Sequence, residues 1–402
     1  MNHRKRTIWT YYLYKATTSN GFMLPFSIIY IQQQGYGLDV IGVTQSAFLF
    51  TLVLSELPAG YLADRIGRRP TLALGNGLTV VVLGAYPFVS SASGWVALYV
   101  LWGLAWACHS AIGDAWLYDY LEQRATPTAF ARMSGRGESA MLATSAIAAL
   151  CATGLYALNP DLPFLANAAL AAVGVPLVLL LPSARNGTTT ATPVREVLSV
   201  LRLQLSRPEM RWLVVYAALF NVLFSVTRWL EQPALETVGF PIAGLGILYA
   251  MFKLVSAGAT MTTGWIQRTL GPRRFFLLLL PVCGVAYASI LVIPAFVVPV
   301  LFLRRTLDSV SAPIRNQYLN DRLEGAGRAT VLSGASMVLS LASGTTNIVF
   351  GQLAESTGPT AFLPVVGVIV VLVAGVFWIL TSPVRPLSQS TTSTSPHSAS
   401  GD

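Results

Sequence analysis

Twelve apolar runs, each about as long as a bilayer is thick, follow one another from residue 8 to residue 381. They cover 8–31, 39–62, 71–91, 95–119, 137–156, 162–181, 212–233, 242–265, 275–293, 297–318, 329–353 and 360–381. A transmembrane helix needs about 20 mostly apolar residues. Lipid offers the backbone no hydrogen bonds, so each crossing has to satisfy its own peptide groups. The expected fold class is therefore an all-α membrane protein with twelve transmembrane helices. Composition agrees, since only 11% of the 402 residues are charged against about 25% in soluble domains. The opening MNHRKR before an apolar run has the outline of a signal peptide. That run continues to Ile31, contains Lys15 and Asn20 and lacks a small-residue cleavage site, so it reads as the first span.

Basic residues cluster in the cytoplasmic loops of membrane proteins. Here Arg4, Lys5 and Arg6, then Arg65, Arg68 and Arg69, then Arg124, Arg132 and Arg136 stand at the N-terminus or in alternate loops. So do Arg185, Arg195, Arg202, Arg207 and Arg211, then Arg268, Arg273 and Arg274, then Arg322, Arg328 and Arg385, making twenty of the 26 Lys and Arg. The opposite loops, near 34–38, 92–94, 157–161, 234–241, 294–296 and 354–359, hold none. Both termini are expected to be cytoplasmic, with an even number of crossings of the cell (cytoplasmic) membrane. This distribution also disposes of the nucleic-acid partner that a net charge of +9 would suggest in a soluble protein. Cys108, Cys151 and Cys283 lie inside apolar runs, an odd set that makes no disulfide framework.

The chain divides into an N-terminal bundle (1–182), a linker (183–211), a C-terminal bundle (212–382) and a tail (383–402). Within the linker, NGTTTAT (186–192) precedes VREVLSVLRLQLSRPEMR, whose alternation of apolar and basic residues predicts an interfacial amphipathic helix. The Ser/Thr/Pro-rich tail is expected to be disordered. The two bundles echo each other. AWLYDYLEQR (115–124) is similar to IRNQYLNDRLE (314–324), MSG (133–135) to LSG (332–334), and LADRIGRR (62–69) to IQRTLGPRR (266–274). Two six-span halves joined by a polar linker are a recurrent plan of secondary transporters.

Span two ends in SELPAGYLADRIGRRPTL (55–72). This stretch resembles the signature of the major facilitator superfamily between its second and third helices, with Gly60, Asp64, Gly67, Arg68 and Arg69 on the key positions. Spans, orientation and repeat extend the resemblance over roughly residues 8–381. Physical roles follow for each residue. Gly60 would let two helices approach closely, Gly67 would support a tight turn, and Arg65, Arg68 and Arg69 would anchor the loop on the anionic leaflet. The resemblance places Asp64 against the start of span eleven, near Arg328-Ala329-Thr330, when the cytoplasmic gate is shut. Such an interdomain latch is worth about 1–2 kcal/mol through the helix dipole. The alternative is that Asp64 only caps and positions its turn. In the second half Arg268 stands where the aspartate would be.

A charge at the bilayer centre costs at least about 2.5–3.5 kcal/mol, so membrane-embedded charges should face water or a partner. In the family, helices 1, 4, 7 and 10 line the central path. Here those spans carry Lys15 and Asn20; His109, Asp114 and Asp119; Asn221, Arg228 and Glu231; and Arg304, Arg305, Asp308 and Arg315. Elsewhere the deep charges are chiefly Glu56 and Lys253. Helical spacing lets Arg304 and Arg305 meet Asp308, and Arg228 meet Glu231. Lys15 and Asp114 lie at matching depth, about 10 Å from the cytoplasmic ends of their helices, and can pair. Each pair is either part of the path or a structural ion pair. One carboxylate cannot neutralise both Arg304 and Arg305, and that surplus would attract an anionic group. Glu56 is either a proton carrier or the partner of Lys15, and His109 either a packing residue or a proton relay. Trp102, Trp106, Trp116, Tyr118 and Trp229 are candidates for an aromatic cavity or for packing.

The sequence has no P-loop and no His/Cys cluster of metal spacing. No enzyme activity, cofactor or metal is expected. The resemblance implies a secondary active transporter that moves a small-molecule substrate by alternating access, as a monomer in the lipid bilayer. Its most direct form is proton-coupled export, an efflux antiporter with the proton as coupling ion. The family's efflux pattern Gly-Pro-x-x-Gly-Gly in helix 5 is absent, that stretch reading ATSAIAALCATG (143–154), and Tyr99 stands near the place of the helix 4 arginine. Import of a small, anionic metabolite therefore remains open, as does a transport-inactive receptor or scaffold.

Overall fold

The computed structural model describes residues 3–110, 112–123, 129–183, 206, 208–322 and 328–384. The linker helix expected after residue 194 and the tail beyond residue 384 lie outside the described residues. Among those described there is helix and no strand. The N-terminal half contains α1 (His3–Thr17), α2 (Ser27–Gln33), α3 (Leu38–Ile66), α4 (Arg68–Ala85), α5 (Ala92–His109), α6 (Ile112–Glu122), α7 (Phe130–Leu158) and α8 (Leu162–Leu180). The C-terminal half contains α9 (Pro208–Thr237), α10 (Leu245–Val292), α11 (Val297–Asn320), α12 (Arg328–Thr357) and α13 (Pro359–Thr381).

Among the described residues, nine helical stretches are long and apolar enough to cross a membrane, one of them (Ile242–Val292) long enough to cross twice. That stretch bends at Gly271 (φ 69°, ψ 164°), and its two arms are spans eight and nine. The first span falls outside this set because it is broken, and the tenth, α11, because it is heavily charged. Twelve spans in two groups of six account for the chain. The repeat is visible in the backbone. Gly67 between α3 and α4 (φ 99°) and Gly271 between the arms of α10 both take a positive φ, a conformation that glycine adopts without steric cost.

Two spans depart from the continuous helices expected over 8–31 and 95–119. Span one stops at Thr17 and resumes at Ser27, across Ser19, Asn20, Gly21 and Pro25. Span four breaks at Ser110, between α5 and α6. A broken helix survives in a membrane only where its freed peptide groups find partners. At the first break Asn167 Nδ2 donates to Ser19 O (3.0 Å), Gln232 Nε2 donates to Leu24 O (2.7 Å), and Gln232 Oε1 accepts from the amides of Ile28 and Ile29 (2.9 and 3.1 Å).

The bundle has a linker face, which carries the start of α1, the α3–α4 turn and the start of α9, and an opposite, far face. The halves meet through α3 on α12, α7 on α10 and α2 on α9. Most of the named contacts lie toward the far face. A Cβ added at Gly42 would lie 2.4 Å from Asn347 O and 2.8 Å from Gly351 Cα, so α3 and α12 cross here backbone to backbone. Leu38 N donates to Glu355 Oε2 (2.6 Å) and Gly246 N to Thr153 Oγ1 (3.2 Å). Toward the linker face, the substantial packing of α1, α6 and α11 is against their own halves. Among the described residues the named contacts between the halves thus gather toward the far face, with Glu56 and Ser333 meeting nearer the linker face.

Candidate functional site: two charged walls of a central path

In the N-terminal half the wall is built around the two helix breaks. Lys15, in the last turn of α1, reaches Glu138 of α7 at 2.5 Å. The expected Lys15–Asp114 pair does not form. Asp114, in the first turn of α6, accepts hydrogen bonds from Ser134 Oγ (3.2 Å) and Tyr11 OH (3.4 Å), and no cation lies within ion-pair distance among the described residues. His109 Nδ1 shares a hydrogen bond with Tyr14 OH (3.1 Å), the packed arrangement. Asn20 sits half-buried in the break. Glu56 is not the partner of Lys15; Ser333 of α12 donates to its Oε1 (3.4 Å) across the seam.

The C-terminal wall rests on α9 and α11, both unbroken. From Val222 to Leu235, α9 is buried except at Ser225 and Arg228, so its polar stripe faces an internal cleft rather than lipid. The pairings expected along single helices are exchanged between helices. Arg228 binds Asp308 of α11 (3.2 Å), not Glu231. Glu231 instead takes Arg305 through both carboxylate oxygens (2.7 and 2.9 Å) and accepts from Tyr249 OH. Arg305 therefore does not reach Asp308, and its guanidinium stacks over the ring of Phe252 at 4.9 Å. Arg304 does pair with Asp308 (3.4 Å), but its side chain is 1% exposed and belongs to the interior of the half. Isolated i,i+3 pairs contribute only about 0.2–0.5 kcal/mol, so packing between helices decides the partners.

Next to this wall lies a cavity of about 530 Å³ of empty space, open to solvent, between α9, α11 and the second arm of α10. Asn221, Asp308, Ser311 and Arg315 give it polar atoms, and Phe220 and Phe224 line its body. Sequence reasoning missed Glu138, Tyr249 and Gln232. Gln232 joins the two walls, because Tyr249 OH accepts from its Nε2 (3.0 Å) and donates to Glu231. Its signal was a polar residue next to a charged one in an otherwise apolar run. The proposed aromatic cavity dissolves into packing at three positions. Trp116 stacks between Tyr11 and Tyr120, Trp102 packs on Phe48 and Tyr99, and Trp229 donates to Asn347 Oδ1 (3.1 Å). Trp106 and Tyr118 are exposed, at 43% and 45%.

The α3–α4 turn is held inside its own half. Arg68 binds Asp119 of α6 (2.7 Å), and Arg69 donates to Leu179 O at the end of α8. Both arginines are thus partly buried ties rather than leaflet anchors, while Arg65 is exposed. Gly67 makes the turn as expected. Gly60 makes no close approach, since nothing lies within 4 Å of where its Cβ would be. Asp64 is exposed, and the side chains that open α12 lie outside those described.

The comparisons with known proteins agree with this architecture. The model of the Major Facilitator Superfamily matches residues 12–336. The uncharacterized MFS-type transporter YxaM of Bacillus subtilis (strain 168) is 20% identical over 363 residues, 88% of this chain and 90% of the relative. Among solved structures, the nucleoside transporter NupG aligns with a TM-score of 0.72 at 14% identity, covering 95% of this chain and 98% of that one. A bacterial homolog to the human lysosomal transporter Spinster, inward-facing and occupied, gives 0.70 at 14% (94% and 96%). The D-xylose-proton symporter gives 0.63 at 12% (92% and 96%). At such identities the solved structures speak for the fold alone, whereas the family match spans most of the chain. This multi-pass membrane protein belongs to the major facilitator superfamily and is a transporter, not an enzyme.

Proposed function

We propose that the protein exports a small organic molecule across the cell membrane in exchange for protons, by alternating access between its two halves. The observation that carries this reading is the pairing of a seam closed at the far face with carboxyls that, among the described residues, have no cation within ion-pair distance. Among the described residues Asp114 and Glu56 accept hydrogen bonds only from hydroxyls. Protonating either strands no counter-charge, whereas protonating Asp308 or Glu231 would leave buried arginines uncompensated. We therefore assign Asp114 and Glu56 as the proton carriers, and Arg228 and Asp308, with the cavity beside them, as the substrate-facing group. The positive-inside distribution makes the linker face cytoplasmic, with both termini and the 183–211 linker on that side. The described conformation then loads from the cytoplasm, as an exporter does at the start of its cycle. Asp64 would latch the start of α12 when that side closes.

The test is flux of a panel of drugs, sugars and carboxylates in proteoliposomes under an imposed pH gradient. Export coupling predicts substrate movement against the proton flow, abolished by Asp114→Asn while substrate–substrate exchange persists. Movement with the protons would assign import. Flux indifferent to the gradient would remove proton coupling, and flux of no compound would favour a receptor.

A further inference from the structure

The C-terminal wall holds more positive charge than it can neutralise. Five cations, Arg228, Lys253, Arg304, Arg305 and Arg315, share two carboxylates, Glu231 and Asp308. Glu231 is fully occupied by Arg305 and Tyr249. Asp308 serves both Arg228 and Arg304 through a single oxygen, at 3.2 and 3.4 Å. Among the described residues half-buried Lys253 has no ion-pair partner, and Arg315 bonds only the side-chain oxygen of Asn316. The buried Nε atoms of Arg304 and Arg305 have no acceptor among the described residues. A surplus of three positive charges within a membrane-embedded half is costly and marks the place where an anion belongs.

We propose that this wall is an anion site, and that the transported molecule is a small organic anion whose carboxylate or phosphate group binds Arg228 in exchange for Asp308. The proposal rests on the transporter reading above and deepens it by naming the substrate class. Three features point to Arg228 as the contact. Its side chain is 58% exposed whereas that of Arg304 is 1% exposed, so it is the guanidinium of the Asp308 pair that a ligand can reach. Its bond to Asp308 is long for a charge-assisted one, which normally measures about 2.7–2.9 Å, so the carboxylate is an exchangeable partner. The adjoining cavity supplies a second guanidinium at Arg315 and phenylalanine rings for an organic body, while Asn221 Nδ2 and Ser311 Oγ already donate within the protein. Asp308 acts as an internal stand-in for the ligand, holding Arg228 when the site is empty.

The stand-in makes a prediction that a merely structural carboxylate would not. The full-length protein is placed in nanodiscs of phosphatidylcholine, which offers no net anionic headgroup, and binding is read by tryptophan fluorescence and thermal shift. The probes are matched pairs that differ by the anionic group: benzoate against benzamide, and glucose 6-phosphate against glucose. The anionic member of at least one pair should bind about tenfold or more tightly than its neutral partner. Arg228→Gln should remove that advantage without changing the binding of the neutral partner. Asp308→Asn should raise anion affinity, because it frees Arg228. If Asp308→Asn does not fold, the exposed Arg228→Gln variant decides alone. Equal or tighter binding of the neutral members, no binding of either anion, or weaker anion binding by a folded Asp308→Asn variant would each overturn the proposal. Binding is measured without flux, so the outcomes separate. Anion binding without transport keeps the site and rejects the transport reading, while transport of neutral molecules only does the reverse.

Discussion

The two halves place charge in the membrane in opposite ways. The N-terminal half breaks spans one and four, and places three carboxylates, Asp114, Glu138 and, at the seam, Glu56, against one lysine, Lys15. The C-terminal half keeps the equivalent spans seven and ten unbroken, and carries five cations against two carboxylates. In the N-terminal half Asp114 takes hydroxyl donors from Tyr11 and Ser134, and Glu56 one from Ser333, in place of cations among the described residues. Intact helices satisfy their own backbone and leave charges to pair with one another across helices. The proposed function therefore assigns protonation change to one half and fixed positive charge to the other. The repeat preserves the topology and lets the chemistry of the walls diverge.

The largest expected difference between the halves is in the cost of losing one member of an ion pair. Arg305→Leu strands Glu231, whose side chain is 3% exposed, and should cost about 3–5 kcal/mol. Lys15→Gln strands Glu138, which is 44% exposed, and should cost about 1 kcal/mol or less. Unfolding of both variants in matched detergent measures the contrast, and equal losses would erase it. Next in size is the link between the walls. Gln232→Ala removes three hydrogen bonds to the broken first span and one to Tyr249, each worth about 1 kcal/mol. It should destabilise the closed far face by up to about 4 kcal/mol in all. In a background lacking the exposed Cys151, labelling of Ala149→Cys should rise steeply, and unchanged labelling would show that Gln232 only packs. The smallest effect belongs to Asp64→Asn. Loss of its helix-dipole latch, about 1–2 kcal/mol, should enrich cytoplasm-open forms, read as faster labelling of cysteines along the linker-side seam. Unchanged rates would leave Asp64 as a capping residue of its turn.

The spans, their grouping and the Gly67 turn were legible because hydropathy, repeat and motif are local in sequence. Partners of the charges were not. Spacing paired Arg228 with Glu231 and left Arg305 to Asp308, yet each found its partner on the neighbouring helix, 74 to 80 residues away. Lys15 likewise passed over Asp114 for Glu138, 123 residues distant. A weak same-helix preference cannot predict such choices, because the packing between helices sets them. The helix breaks left a readable trace in Ser19-Asn20-Gly21 with Pro25 and in Ser110 with Gly113. An apolar window long enough to cross a bilayer masks these short interruptions.

The central claim is that the halves close over the far face and part at the linker face, and that this arrangement alternates. Pulsed electron–electron distance measurements on two spin-label pairs test it directly. Gln34→Cys with Thr237→Cys reports the far face, and Arg132→Cys with Gln317→Cys the linker face, with native cysteines replaced by serine. The account predicts a dominant population short at the far pair and long at the linker pair, and a minor one with the distances reversed. Pairs that lengthen and shorten together, or a far pair that opens while the linker pair stays fixed, would contradict it.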